Sequence, residues 1–348
     1  MAHSVTAFRD RLCVGVDLHK DQMTIAVLNP TTGQITYHTI ACKCRRQIVE
    51  FFASLPRPHV VAIEAVGFYR WLWDLLEPIV DTLLLADAAQ CRALAGRRIK
   101  TDRQDAGNVA ELLAAGRLPI AWAPPSPIAA LRDVTRHRHY LSRQHARCLH
   151  RVKSIMHQVN RPGPARMRAP QLIRYLKAQR DKLPPHLVSQ IEMAIDEMIL
   201  VERQLDTIAA SLRQTLAEPR WAADADRLMT FPGVGVLIAA AVLAEVGDFD
   251  RFDDRDALTR YAGLDPRTFT SDTTVRTGAI AKQGSRELRW ALVQAAWVAV
   301  RCDDSAKRVW LRIRKRAGGK RAIIAVARRL LLWMRAAHRK GAAYRQAT

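Results

Sequence analysis

The sequence predicts an α/β domain at the N-terminus, a helical connector with coiled-coil character, and a mainly α-helical C-terminal domain. Over the first third of the 348-residue chain, apolar β-branched segments alternate with segments of helical periodicity, as in sheets covered by helices. Four prolines between residues 119 and 127 then precede long helical stretches. Because a chain of this length favours two or three domains, we predict domains at residues 1–127, 128–224 and 225–348.

The N-terminal domain begins with two extended runs over residues 11–27, in which apolar residues surround Asp17. A turn at 29–33 and a further extended run to residue 40 predict an antiparallel meander. In the rest of the domain, segments with a strand pattern alternate with segments of helical periodicity. We predict helices over 45–55 and 68–79, and strands at 60–63 and 82–85.

The connector contains two long helical stretches, a strongly basic one at residues 128–158 and an amphipathic one at 185–216. Helix breakers at Arg161-Pro-Gly-Pro164 interrupt the region between them. Two long helices joined by a loop predict a coiled-coil-like hairpin. Such a hairpin either projects and self-associates or packs within its own chain, and the sequence leaves both open.

The C-terminal domain opens with Phe231-Pro-Gly-Val-Gly235 before an alanine-rich helix. This is the form of a helix-hairpin-helix element, whose glycines let backbone N–H groups approach DNA phosphates. An ordinary glycine turn is the alternative. The domain ends in a basic helical tail over residues 308–339, which faces either DNA or a partner protein.

Charge points to the class of ligand. The chain carries 55 Lys and Arg against 33 Asp and Glu, a net charge of +22, which favours a polyanion and above all nucleic acid. Between residues 132 and 182 there are fourteen Lys or Arg and two acids. We predict nucleic-acid contacts at Lys100, Arg136, Arg138, Arg143, Arg147, Arg151, Lys153, Arg276, Lys282 and Arg286.

A membrane is the weaker alternative for so basic a chain. The longest apolar run, residues 234–244, is too short to cross a bilayer. The first twelve residues lack the apolar core of a signal peptide. We therefore predict no membrane association and an intracellular location.

Four acids form an unusual combination, because chance does not place acids at two otherwise apolar strand ends. Asp17 and Glu64 each end an otherwise apolar strand, while Asp102 and Asp105 lie three apart at a predicted helix start, which puts both on one face. Singly, each has an ordinary explanation as a cap, a first-turn acid or a turn former. Together they would repel one another unless they held cations, so we predict a site for paired divalent ions, Mg²⁺ above all.

The segment from Tyr261 to Arg289 mixes hydroxyl side chains with spaced Gly, Lys and Arg. This composition predicts a loop that lies against phosphates. A serine in such a loop becomes a nucleophile when a base, a metal or nearby cations activate it. On composition alone, Ser271 is otherwise a turn residue.

Several motifs together resemble a known family. They are Gly15-Val-Asp17-Leu-His-Lys20, Ile63-Glu64-Ala, Lys100-Thr-Asp102-Arg-Gln-Asp105-Ala, Phe231-Pro-Gly-Val-Gly235, Gly263-Leu-Asp-Pro266 and Gly278-Ala-Ile-Ala-Lys282-Gln-Gly284. In this order they resemble the DEDD transposases of bacterial insertion sequences, also called bridge-RNA-guided recombinases. The resemblance spans nearly the whole chain.

The resemblance implies a ribonuclease-H/RuvC-like N-terminal domain, a coiled-coil connector and a C-terminal domain with a nucleophilic serine. It implies that Asp17, Glu64, Asp102 and Asp105 bind Mg²⁺, and that the serine forms a covalent phosphoserine intermediate with DNA. Ser271 aligns with this nucleophile. The family usually has Ser-Ser-Gly where this chain has Thr270-Ser271-Asp272, so Thr270 and Ser285 are the alternatives.

The resemblance also implies partners and location. A structured guide RNA, the bridge RNA, pairs with donor and target DNA, and the active enzyme is a homotetramer, a dimer of dimers, in which acids and serine of different protomers meet. The protein would be cytoplasmic in a bacterium, and nucleoid-associated when acting. Two other functions stay open: a metal-only RuvC-like nuclease of the junction-resolvase type, and a non-catalytic nucleic-acid-binding protein.

Overall fold

The computed structural model describes residues 8, 10–95, 101–271, 274–281 and 283–344, with side chains for all of these except 95, 267–271 and 274–279. Contacts divide the chain into two compact units, Ala2–Ala123 and Pro124–Thr348. The three domains expected from the sequence stay a prediction.

The first unit contains a six-stranded mixed sheet in the order β3-β2-β1-β4-β5-β6 among the residues described. Strands β1 to β3 form the expected antiparallel meander, β4 and β5 run parallel to β1, and β6 pairs antiparallel with β5. The architecture is consistent with a ribonuclease-H-like domain. The strands are β1 (Leu12–Leu18), β2 (Gln22–Leu28), β3 (Ile35–Ala41), β4 (His59–Glu64), β5 (Thr82–Ala86) and β6 (Ile120–Ala121).

Helices cover both faces of this sheet. They are α1 (Arg45–Ala53), α2 (Arg70–Leu76), α3 (Ala88–Ala95) and α4 (Asp102–Ala114). Because side chains alternate along a strand, Val14 and Val16 of β1 pack into the core with α1 and α2, whereas Cys13 packs into the core with α3 and α4. The helix predicted over 68–79 is shorter, because Pro78 has no N–H with which to continue the helical hydrogen bonds.

The second unit is mainly helical, with one β-hairpin. Its helices are α5 (Ser126–Gln158), α6 (Ala169–Gln179), α7 (Pro185–Ala217), α8 (Pro219–Met229), α9 (Val236–Val246), α10 (Arg255–Tyr261), α11 (Arg286–Cys302) and α12 (Asp304–Arg339). Helix α12 bends at Gly318, whose φ is +79°. No helix in the described parts of the chain combines the length and the apolar composition needed to cross a bilayer.

Helices α5 and α7 form the predicted helical hairpin and run antiparallel. Leu131 near the start of α5 shares a core cluster with Leu212 near the end of α7. Met156 near the end of α5 shares another with Leu187 near the start of α7. The two helices therefore pack within one chain, and self-association of the hairpin stays a prediction.

The turn between α8 and α9 is required by internal packing. Gly233 has a φ of +81°, and a Cβ there would lie 2.4 Å from the carbonyl oxygen of Ala295 on α11. Gly235 has nothing within 4 Å of its Cβ position. The structure thus gives Gly233 a role inside the fold, and an approach to DNA phosphates stays a prediction.

The segment after Gly263 differs from the prediction. Instead of a loop, it forms an antiparallel hairpin of β7 (Pro266–Ser271) and β8 (Thr274–Ile280), in which Ser271 pairs with Thr274. Threonine, valine and phenylalanine favour extended backbone because their side chains pack well on a pleated surface. These residues outweighed the glycines and charges that indicated a loop.

A buried carboxylate joins three helices of the second unit. The Glu245 side chain on α9 is 1% exposed and accepts hydrogen bonds from Nε and Nη2 of Arg136 on α5, at 2.9 and 3.2 Å. The hydroxyl of Ser285, the N-cap of α11, donates to the same carboxylate at 3.0 Å. Arg136, predicted to bind nucleic acid, thus has a partner inside the fold.

Replacing Arg136 with methionine should destabilise the protein, because it removes the closest positive charge from a buried carboxylate. We expect a loss of about 2 kcal/mol in the free energy of unfolding, less than for an isolated buried pair because Ser285 and Arg132 remain close to Glu245. Urea denaturation followed by circular dichroism measures it. Arg143→Met, at an exposed position of the same helix, is the control and should change stability by less than about 0.5 kcal/mol. Equal losses of stability in Arg136→Met and Arg143→Met would contradict the prediction.

Candidate active site

The pairing of β1 with β4 brings Asp17 and Glu64 together. Cys13 pairs with Val60 and Gly15 pairs with Ala62 in the parallel register. Since alternate side chains share a face, the next pair on that face is Asp17 and Glu64, at the carboxyl ends of adjacent strands. Both are largely enclosed, with 6% of the Asp17 side chain and 15% of the Glu64 side chain exposed.

A close contact between α4 and β1 brings the other two acids to the same place. A Cβ at Gly15 would lie 2.2 Å from the carbonyl oxygen of Ala106 and 2.7 Å from the amide nitrogen of Ala110. The backbone of α4 therefore rests directly on β1. Asp102 and Asp105 occupy the first turn of α4, on the side of Asp17.

The start of α4 is fixed by its cap. The Thr101 hydroxyl accepts a hydrogen bond from the Gln104 N–H at 3.3 Å. This N-cap is worth about 1 kcal/mol to a helix, and it fixes where the turn bearing both aspartates begins. The sequence prediction of two acids on one face of a helix start agrees with this placement.

Burial and mutual repulsion set the electrostatics of the four acids. Burial is the main cause that raises the pKa of Asp17, and the charges of Asp105 and Asp102 raise it further, while His19 lowers it. Burial likewise raises the pKa of Glu64, followed by the charge of Asp17 and a hydrogen bond with it, while Arg92 lowers it. Like charges this close are stabilised by a cation.

Two residues of the site escaped the sequence analysis. His19 Nε2 lies 3.1 Å from Oδ2 of Asp17 and 3.4 Å from Oδ1 of Asp102. Arg92 Nη1 on α3 lies 3.7 Å from Oε1 of Glu64. His19 stands two residues after Asp17, a spacing that could have identified it. No pattern in the sequence marks Arg92, because only the packing of α3 brings it to Glu64.

The donor set fits a divalent cation. Asp17, His19 and Asp102 each offer one ligand atom, and these atoms lie within 4.8 Å of one another. Carboxylate oxygens are the ligands of Mg²⁺, which commonly uses one or two of them together with water and substrate phosphates. Burial and the neighbouring carboxylates raise the pKa of Asp17 and of Glu64, and a bound cation would stabilise their charged forms.

The basic residues predicted to bind nucleic acid fall into groups. Arg143, Arg147 and Arg151 are exposed at four-residue intervals along α5 and so lie on one side of it. Arg286 is exposed at the start of α11. Arg138 and Lys153 are half-buried, and burial lowers the pKa of Arg138. Lys100, Lys282 and the side chain of Arg276 lie outside the described residues.

The candidate serines have different positions. Ser271 is the last residue of β7, at the turn end of the hairpin, and its side chain, like that of Thr270, lies outside the part described. Ser285 accepts a hydrogen bond from the Leu288 N–H at 3.1 Å and donates one to Glu245. Ser285 thus serves the fold, as a helix cap and as a partner of a buried carboxylate.

The base of the hairpin is tied together on both sides. The Ala281 N–H donates to the Asp265 carbonyl at 2.8 Å, and the Ser285 N–H donates to the Tyr261 carbonyl at 2.7 Å. Gly284 has a φ of +108°, and a Cβ there would lie 2.3 Å from the Tyr261 carbonyl oxygen. The glycine of the Lys-x-Gly motif is therefore needed where the two ends of the hairpin segment meet.

Adding a methyl group at Gly15 tests the contact that assembles the acids. Gly15→Ala should lower the free energy of unfolding by about 3 kcal/mol, because the new Cβ meets backbone that cannot rotate away. It should also weaken Mg²⁺ binding, measured by calorimetry on the folded fraction. The control is Gly67→Ala, since Gly67 has nothing within 4 Å of its Cβ position. Unchanged stability and Mg²⁺ affinity in Gly15→Ala would rule out the contact.

Comparisons with known proteins cover both the acidic site and the hairpin. The DEDD transposase family of IS110 type matches residues 14–161, which include the four acids, and the "Transposase IS116/IS110/IS902 family" matches residues 225–311, which include Ser271. Together the two matches span most of the chain.

Relatives extend the similarity over nearly the full length. A putative transposase, y4qE, of Sinorhizobium fredii is 29% identical over 82% of this chain and 70% of its own. A probable family 20 transposase of Pseudomonas aeruginosa is 27% identical over 86% of this chain and 88% of its own. The transposase for insertion sequence element IS1111A of Coxiella burnetii is 23% identical over 92% of this chain and 88% of its own. The chain therefore belongs to the IS110 family of DEDD transposases and is an enzyme that acts on DNA.

Proposed function

We propose that this transposase is an RNA-guided DNA recombinase that excises and inserts an insertion sequence. The observation that carries the proposal is the convergence of Asp17, Glu64, Asp102 and Asp105 at one edge of the sheet. The resemblance implies a serine nucleophile, and Ser271, the residue that aligns with it, lies within the second matched region. RNA guidance rests on the resemblance and on the net charge of +22.

The acids would hold Mg²⁺, which supplies charge stabilisation for the attacking and leaving oxygens of a phosphodiester. Asp17 and Glu64 are held by the sheet and Asp102 and Asp105 by the first turn of α4. His19 bridges Asp17 and Asp102, so it orients the two carboxylates relative to each other. Such fixed geometry lowers the reorganisation needed during reaction.

Ser271 would supply the nucleophile. Its Oγ forms a bond to the phosphorus and displaces a deoxyribose oxygen, which leaves as a hydroxyl after taking up a proton, while the serine proton passes to a base. The phosphoserine link conserves the energy of the broken phosphodiester. A strand hydroxyl then attacks the same phosphorus and releases Ser271, which completes strand exchange without an external energy source.

Nucleic-acid binding would use the exposed side of α5 that carries Arg143, Arg147 and Arg151. Phosphate contacts of this kind position a polynucleotide without reading its sequence, which suits an enzyme whose target is chosen by base pairing. We further propose a homotetramer, a RuvC-like first domain, a DNA-contacting helix-hairpin-helix turn at Gly235 and action at the bacterial nucleoid in the cytoplasm. The helix-hairpin-helix turn rests on the Phe231-Pro-Gly-Val-Gly235 pattern, and the other features rest on the family resemblance.

A metal-only nuclease is the second candidate. The chain has Thr270-Ser271-Asp272 where the family usually has Ser-Ser-Gly, whereas the acids form a complete cluster. Such an enzyme would use water as nucleophile and leave free cleaved ends. The Ser271→Ala variant distinguishes the serine recombinase from the metal-only nuclease.

Ser271→Ala should abolish both strand exchange and the covalent protein–DNA adduct, because no other group supplies the Oγ. The adduct is measured by denaturing gel electrophoresis of labelled DNA with the guide RNA present. Ser285→Ala is the control and should retain the adduct, since that hydroxyl binds Glu245. An adduct that persists in Ser271→Ala would refute the assignment, and cleavage without any adduct in the unmodified protein would favour the nuclease.

Asp17→Asn should abolish Mg²⁺-dependent strand exchange while DNA binding persists, because the amide cannot replace the carboxylate as a ligand. Burial raises the pKa of Asp17, so its charge opposes folding at neutral pH. The metal-free variant should therefore melt no lower than the unmodified protein, which separates lost chemistry from lost folding. The control is Asp74→Asn, an exposed acid on α2. Strand exchange at the normal rate in Asp17→Asn would exclude the acidic site.

A further inference from the structure

A groove between α11 and α12 has no role in the chemistry described above. It is lined by Trp297, Val300, Arg301, Lys307 and Trp310 and has a volume of about 460 Å³, within the range of small-ligand sites. We call it the tryptophan groove. Its residues lie within the second unit, away in sequence from the acids and from Ser271.

Trp297 lies on the exposed side of α11, whereas Trp310 on α12 is half-buried. Trp297 is 45% exposed, although Leu288, Leu292 and Ala296 of the same helix are fully buried. An aromatic ring of this size is normally covered by the protein's own core. Exposed apolar surface beside polar residues marks a binding site more often than an isolated exposed side chain does.

Positive charge surrounds these rings. The guanidinium of Arg314 lies 4.6 Å from the centroid of the Trp310 ring, and Arg301 and Lys307 line the groove. No acid occurs from Ser305 to the end of the chain. Asp304 in the first turn is the one acid of α12, so cations greatly outnumber acids along this helix and favour an anionic ligand.

The cations of the groove differ from those further along α12. Arg328 and Arg339, beyond the bend at Gly318, form ion pairs with Asp256 and Asp250. Within the described part of the chain, Arg301, Lys307 and Arg314 form no such pair. The bend of α12 thus separates Lys307 and Arg314, which form no ion pair in the described part of the chain, from Arg328 and Arg339, which do.

We propose that the tryptophan groove binds an unpaired nucleotide of a single-stranded polynucleotide, with its base against Trp297 and its phosphates beside Arg301 and Lys307. Stacking on an aromatic ring combined with a cationic path for the backbone is how proteins bind single strands. A duplex does not fit this chemistry, because pairing and stacking hide the faces of its bases. The unpaired nucleotide belongs to an RNA or to a DNA strand opened during recombination.

The test measures binding of the full chain to labelled 12-nucleotide oligouridylate, oligothymidylate and a DNA duplex by fluorescence anisotropy. Trp297→Ala should weaken binding of a single strand about 10-fold and leave duplex binding within about twofold. Trp297→Phe should restore most of the affinity, because the phenyl ring still stacks. Met193→Ala, at another exposed apolar position, is the control and should change neither.

Charge gives an independent measurement. Arg301→Gln should reduce by about one the slope of log affinity against log salt concentration for the single strand. If Trp297→Ala loses affinity for only one of the two single strands, oligouridylate or oligothymidylate, the proposal is supported and the type of strand that the groove binds is identified. Equal weakening of single strand and duplex by Trp297→Ala would overturn it. So would a change of oligomeric state in Trp297→Ala, measured by analytical ultracentrifugation, since the groove would then bind a second copy of the chain.

None of these binding measurements requires catalysis, so their outcome is independent of the outcome for Ser271 and Asp17.

Discussion

The contact between the backbone of α4 and the face of β1 at Gly15 is the constraint on which the acidic site depends. Two carboxylates come from the sheet and two from the first turn of a helix, and only a helix lying against the strand without an intervening side chain brings them together. Close packing of this kind leaves no room for a larger residue. The convergence of the four acids therefore depends on the absence of one methyl group, two residues before Asp17.

Buried acids have opposite roles in the two units. Glu245 is neutralised within the fold by Arg136 and hydrogen-bonded by Ser285, so it joins helices. Among the described residues, His19 and Arg92 lower the pKa values of Asp17 and Glu64, respectively, against several negative charges that raise them. A buried charge without compensation opposes folding. The first arrangement is a structural link, whereas the second is suited to a bound cation.

The sequence was sufficient to predict β1 to β5, the long helices, and the placement of two acids at strand ends and two at a helix start, because these are local patterns. It missed Arg92, which reaches Glu64 only through the packing of α3. It assigned Arg136 to nucleic acid without revealing Glu245, a partner 109 residues away. It predicted a loop where β7 and β8 pair. The conformational preferences of the residues in one β-strand do not show which other segment that strand will pair with.

The hairpin of β7 and β8 is a separate two-stranded sheet, tied to the fold at its base. A two-stranded sheet gains little stability of its own in water, so its turn end contributes little to the folding of the unit. Substitutions near Ser271 are then nearly free of selection for stability. A change of sequence at positions 270 and 271 can accordingly accumulate without loss of the fold.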